Sequence, residues 1–254
     1  MESQKFSELG EREREQYNKG LERGGYEKIF NHCRYFYIRR RYSLIKEMMQ
    51  CAQGKKVLEI GSTAWRGWLD NNSILPSSLT CINISEAELQ AGVDSAASSD
   101  NSPDFILMDA HDLQFEDGTF DFVYGDAILH HLNMVPALDE IFRVLKPNGK
   151  ILFVEPLDVN PAGKLVRSLT KKARTSDEQP LRLCDITEIK KRFETQFFYE
   201  ELLSVPCGVL SGMLFKNPSN SLMRFAFRVD QFLDRNFSWL RNWFRHALIS
   251  GTRR

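Results

Sequence analysis

Between residues 54 and 156 the chain repeats one alternation, a short apolar run followed by a stretch with helical spacing. The runs are Lys56–Ile60 (KVLEI), Leu79–Ile84 (LTCINI), Asp104–Met108 (DFILM), Thr119–Tyr124 (TFDFVY) and Lys150–Glu155 (KILFVE). They are short, β-branched or aromatic, and nearly continuous in apolar character, which is how strands covered on both faces read. Ser85 and Glu88 form a capping-box pattern that starts a helix after the second run. A further helix is expected around Val135–Leu145, and Pro147-Asn148-Gly149 turns the chain into the fifth run. The pattern predicts an α/β fold built on a doubly wound, mostly parallel sheet.

The flanks read differently. Residues 1–23 are polar and dense in charge, and Tyr26–Cys51 places Ile29, Cys33, Phe36, Tyr37, Ile45 and Met48 or Met49 at roughly helical spacing. Residues 156–183 contain Pro156, Pro161 and Pro180, with a cationic cluster at Lys164, Arg167, Lys171, Lys172 and Arg174. Such a long segment is expected to be a functional cover or disordered. Asp185–Phe193 reads as a helix and Glu194–Leu203 as a strand. Residues 222–248 put Leu222, Phe225, Ala226, Val229, Phe232, Leu233, Leu240, Phe244, Ala247 and Leu248 on one helical face, expected to pack on the domain, although the piece from Trp243 on equally suits an edge strand.

Charge narrows the function classes. The 34 basic and 34 acidic side chains balance, but residues 1–50 carry 11 against 8, residues 51–215 carry 15 against 24, and residues 216–254 carry 8 against 2. An acidic body argues against a nucleic-acid footprint, and basic ends suit an anionic acceptor or a membrane surface. No window of 18 uncharged apolar residues marks a membrane span, and the polar start predicts no secretory signal. The scattered cysteines Cys33, Cys51, Cys81, Cys184 and Cys207 read as reduced thiols of a cytoplasmic protein, with no metal site.

Ligands of open parallel sheets bind at the carboxyl ends of the strands. The first strand ends there in Glu59-Ile60-Gly61, the second in Asn83-Ile84, the third in Asp109-Ala110 and the fourth near Asp126, followed by Ile128-Leu129-His130-His131. The stretches DAHDLQFEDGTFDFVYGDAILHHL and LDEIFRVLKPNGKILFVEP resemble the class I, Rossmann-like S-adenosylmethionine-dependent methyltransferases, in the subgroup acting mostly on small molecules. The resemblance covers about residues 54–156. It implies a seven-stranded sheet with an antiparallel last strand, taken as Trp243–Gly251, preceded by a helical insertion. It also divides the chain into an N-terminal helical extension (1–53), a cofactor-binding α/β core (54–205) and a helical cover with the C-terminal strand (206–254).

The resemblance assigns S-adenosylmethionine as cofactor and carries roles onto matching residues. Glu59 and Gly61 fall in the loop that meets the methionine end. Asn83, with Ile84 beside it, stands where most members carry a ribose-binding acid, and Asp109 with Ala110 stands where an acid accepts from the adenine amino group. Asp126 lies near the methionine moiety, and His131, with His130 second, is the candidate general base. Two departures stand out. Thr63 and Trp65 replace loop glycines, and residues of that kind do not freely adopt positive φ, so Ser62 and Thr63 hydroxyls are expected to take over contacts with the cofactor. Asn83 lacks the usual charge but still donates and accepts hydrogen bonds. Glu155 reads as a substrate contact or as a loop-anchoring acceptor.

The expected activity is methyl transfer to a small-molecule acceptor, apolar or anionic, at a hydroxyl oxygen of a secondary metabolite, glycan or lipid-linked compound. N- or C-methylation of an amine or quinone-type ring stays open, as does a binding protein without catalysis. The C-terminal amphipathic segment is a candidate lid or membrane-surface contact.

Overall fold

The computed structural model describes residues 6–19, 27–61, 74–96, 103–158, 160, 164–165 and 179–254. Seven strands form one sheet in the order β3-β2-β1-β4-β5-β7-β6. They are β1 (Lys56–Ile60), β2 (Ser78–Asn83), β3 (Asp104–Leu107), β4 (Phe120–Asp126), β5 (Leu145–Pro156), β6 (Phe193–Glu200) and β7 (His246–Arg253). β1 to β5 pair in parallel, and β7 runs antiparallel between β5 and β6. The order reverses between β1 and β4, which opens a crevice at their carboxyl ends.

Side chains alternate across this sheet. Leu58, Ile60, Val123, Ile151 and Phe153 face one layer, with Leu138, Ile141 and Val144 of α4 (Met134–Val144) and Ile186 and Ile189 of α5 (Leu183–Arg192). Val57, Cys81, Phe122, Leu152 and Val154 face the other, with Ile45 and Met49 of α2 (Glu27–Met49). α3 (Glu86–Ala96) starts as the sequence predicts, with the Glu88 N–H donating to Ser85 Oγ at 3.3 Å.

Four boundaries differ from expectation, the first being β6, which ends at Glu200 and not at Leu203 because the chain leaves the strand at Glu201, φ 71°. β5 begins at Leu145, opposite Phe120, and the Pro147-Asn148-Gly149 turn sits inside it as an irregularity with Asn148 at φ 61°. β7 begins at His246, because Ser238–Trp243 is a 3-10 turn and Phe244 is fully buried. The insertion before β7 is two helices, α6 (Ser204–Leu214) and α7 (Ser221–Asn236).

α7 also turns a different face inward. Its buried residues are Met223, Ala226, Asp230 and Asp234, while Phe225 and Phe232 are exposed. Asp230 accepts from Tyr37 Oη at 2.6 Å and from the Leu202 and Leu203 N–H groups at 2.9 and 3.1 Å. Those donors are turned toward α7, and satisfying them outranks burying two phenylalanines. α2 packs against α6 and α7: His32 Nδ1 lies 2.8 Å from Ser211 Oγ. Gly208 is needed there, since a Cβ would sit 2.3 Å from Cys33 Sγ.

Candidate active site

The carboxyl end of β1 places Glu59, fully buried, beside β2, where the Cys81 thiol lies 3.5 Å from its Oε2. Gly61 follows at φ +65°, with Ile128 packed where a Cβ would stand, 2.2 Å from its Cδ1. Any other residue would be strained and would displace Ile128. Ser62, Thr63 and Trp65 lie outside the described residues.

Asn83 at the end of β2 donates from Nδ2 to Gly61 O at 3.2 Å and accepts at Oδ1 from the Ser85 N–H at 2.9 Å. It therefore ties the β1 turn to the start of α3, a neutral bridging task for which an amide, donor and acceptor at once, is suited. Ile84 beside it is half-buried.

Asp109, after β3, is buried, as is Ala110. Its Oδ1 accepts from the His111 N–H at 3.0 Å and from His111 Nδ1 at 2.6 Å. Its Oδ2 accepts from the Ser7 N–H at 2.8 Å and from Ser7 Oγ at 2.7 Å. Burial alone would raise this carboxyl, but the hydrogen bonds from His111 and Ser7 outweigh it and hold the group well below the usual carboxylate range. The Asn133 N–H donates to His111 Nε2 at 2.8 Å, which fixes the tautomer with its proton on Nδ1.

Ser7 caps α1 (Glu8–Lys19), accepting from the Gly10 N–H at 3.0 Å. A Cβ at Gly10 would stand 2.7 Å from Asp109 Oδ2, so the helix start sits directly on this carboxylate. Glu13, one turn on and 2% exposed, reaches His131 Nδ1 at 3.1 Å. The charge-dense N-terminus thus covers the crevice.

His130 and His131 occupy a 3-10 turn after β4, with ring centroids 4.1 Å apart. Each Nδ1 faces a different carboxylate: His130 Nδ1 is hydrogen-bonded to Glu155 Oε2 at 2.8 Å, whereas His131 Nδ1 lies 3.1 Å from Glu13 Oε2 without hydrogen-bond geometry. Glu155 also accepts from the Ile128 and Leu129 N–H groups at 2.9 and 2.8 Å, so it anchors the loop. Asp126 lies at the same edge, and burial raises its carboxyl against the pull of Arg41. Arg41 is itself held by Glu200 at 3.1 Å and Glu201 at 2.9 Å. Among the described residues no group of three or more His, Cys, Asp or Glu is placed to hold a metal ion.

The structure brings Glu59, Gly61, Asn83, Asp109, Asp126, His130 and His131 to the carboxyl ends of β1 to β4. Sequence reading missed Ser7, Glu13 and His111. Ser7 was visible as a helix cap, since Glu8 and Glu11 follow it in the first turn. Nothing distinguishes Glu13 within the run Gly10-Glu11-Arg12-Glu13-Arg14-Glu15.

The sheet order, the reversal beside β1 and the acids at the strand ends define the class I, Rossmann-like methyltransferase fold. Residues 58–153 match the family model described as a methyltransferase domain. Over 89 residues the chain is 33% identical to a glycine/sarcosine/dimethylglycine N-methyltransferase of Actinopolyspora halophila, covering 34% of this chain and 16% of that protein. Over 114 residues it is 30% identical to a demethylmenaquinone methyltransferase of Staphylococcus epidermidis, covering 44% and 47%. The chain therefore spans less than half the length of these curated relatives. A geranyl diphosphate C-methyltransferase from Streptomyces coelicolor, solved with Mg2+, geranyl diphosphate and S-adenosyl-L-homocysteine, superposes with TM-score 0.60 at 10% identity over 85% of this chain and 80% of that one. Residues 58–153 thus carry a methyltransferase domain, set in a chain with the class I, Rossmann-like fold.

Proposed function

We propose that the chain transfers a methyl group from S-adenosylmethionine to a hydroxyl oxygen of a small-molecule acceptor in the cytoplasm. The observation that carries this reading is the pair of buried imidazoles at the end of β4, His130 hydrogen-bonded through Nδ1 to Glu155 and His131 with its Nδ1 3.1 Å from the Glu13 carboxylate. A hydroxyl must lose its proton as it is methylated, and an oriented histidine takes it.

The residues present fit the cofactor. Glu59 is a buried acid next to a positive-φ glycine, suited to a cationic amino group at close backbone approach. Asp109 is ionised and can only accept, as an adenine amino group requires. When bound, the cofactor supplies an electrophilic sulfonium methyl. Glu59, Gly61, Ser62, Thr63, Asn83, Ile84, Asp109, Ala110 and Asp126 would hold it. Both Asp109 oxygens already accept two hydrogen bonds, so an adenine amino group takes the place of a Ser7 donor. His131 acts as base while Glu13, 3.1 Å from its Nδ1, balances the imidazolium charge, and His130 is the alternative base. α1 excludes water from the crevice, and alignment of the acceptor supplies much of the rate.

The names of the relatives support a second reading, methylation of an amine or ring carbon. Transfer of labelled methyl groups to hydroxylated and amine acceptors separates the two. His131→Asn is expected to lower hydroxyl methylation about 100- to 10,000-fold. Turnover that survives loss of both histidines moves the assignment to nitrogen or carbon, and absence of transfer with intact cofactor binding moves it to a binding protein.

A further inference from the structure

Ten large apolar side chains between residues 209 and 243 face solvent, among them Met213 at 77%, Trp239 at 70%, Phe225 at 64% and Phe232 at 58% exposed. On α7 all the exposed residues fall within roughly a third of the helix circumference, at about 100° per residue. Arg224, Arg228 and Arg235 form one flank of that arc, and Phe225 and Phe232 form the other. The aromatic flank continues past the helix end, with ring centroids 6.0 Å apart between Phe232 and Phe237 and 6.5 Å between Phe237 and Trp239. The neighbouring α6 exposes Leu210, Met213 and Leu214.

The charge on this face has one sign. Asp230 and Asp234 are the only acids after Glu201, and both are buried. Lys216, Arg224, Arg228 and Arg235 are exposed and form no ion pair among the described residues. A helix with aromatics on one side and arginines on the other lies in the plane of a bilayer surface, rings in the acyl boundary and guanidinium groups among the headgroups. No described helix is long and apolar enough to cross a membrane. A second copy is the poorer occupant, because a two-fold interface through this face gathers six arginines, three from each copy, with no exposed acid of α7 to pair them.

We propose that α6, α7 and the 3-10 turn Ser238–Trp243 form a docking face for an anionic lipid bilayer. The proposal stands apart from the methyl-transfer reading, since it rests on surface residues outside the crevice.

The test is flotation of the full chain with vesicles of phosphatidylcholine alone and of phosphatidylcholine with phosphatidylglycerol, together with tryptophan emission of the wild type. The chain should float with the anionic vesicles, lose binding as salt rises, and shift its emission to shorter wavelength on binding. Replacing Phe225 and Phe232 by Ser should abolish flotation with the circular dichroism spectrum unchanged. Replacing Arg224, Arg228 and Arg235 by Gln should weaken it about a hundredfold. No flotation of the wild type, equal flotation with neutral vesicles, or a concentration-dependent dimer that Phe232→Ser dissolves would each overturn the proposal.

Discussion

Phe153 and Phe225 are the same residue in two regions that bury side chains by different rules. Phe153 lies in β5, fully buried, where the helices above meet a sheet whose backbone groups are already paired. α4 has only to supply apolar contact, so Leu138, Ile141 and Val144 point where their spacing sends them. α7 packs over the end of β6, where Glu201 adopts φ 71° and the Leu202 and Leu203 N–H groups point away from the ladder. There Asp230 turns inward and Phe225 outward. Apolar spacing predicts the buried face of a helix when its neighbour is a finished sheet, and fails when the neighbour presents donors that need an acceptor.

The largest effect that would break this contrast is in stability. Phe153→Ala should cost about 3–5 kcal/mol in denaturant unfolding, whereas Phe225→Ala should change stability by less than about 0.5 kcal/mol. A comparable loss at both positions would mean that Phe225 is buried after all.

A second test sharpens the account of Asp230, whose carboxyl burial pushes up to about 6 against its hydrogen bonds from Tyr37 and the backbone. Because the folded value lies above the unfolded one, the folded state holds the proton longer, and stability from this group falls as pH rises from about 4 to 6. Asp230→Asn removes that titration. Its cost relative to wild type should be greatest near pH 4 and smaller by on the order of 3 kcal/mol at pH 7. A cost that grows with pH would show that Asp230 is stabilised as the anion.

The smallest effect lies in the crevice. Ser7→Ala frees an acceptor site on Asp109, so S-adenosylhomocysteine should bind about two- to tenfold more tightly, one neutral hydrogen bond being worth about 0.5–1.5 kcal/mol. Weaker binding would mean that the closed N-terminal helix holds the ligand instead of competing with it.

The parallel half of the molecule was legible because its strands are local apolar runs and its acids stand at fixed distances after them. Glu59, Asp109 and Asp126 therefore reach one edge as expected. The antiparallel position of the last strand came from the resemblance to a family, and its start was misplaced because Trp243 suits either a strand or a 3-10 turn. What closes the crevice was not legible. Ser7 and Glu13 lie about a hundred residues from Asp109 and His131, and one glutamate within a run of alternating charges carries no mark of burial. The rotated face of α7 was hidden for a related reason, since the donors that draw Asp230 inward belong to Tyr37 and to the turn after β6.

In the proposed binding mode Asp109 anchors the adenine end of S-adenosylmethionine beneath the N-terminal helix. Calorimetric titration of S-adenosylhomocysteine into the wild type and Asp109→Ala tests it most directly. The wild type should bind with micromolar affinity and the variant about tenfold or more weakly, as expected for a hydrogen bond to a charged acceptor. Equal binding by both proteins, or none to a folded wild type, would contradict it.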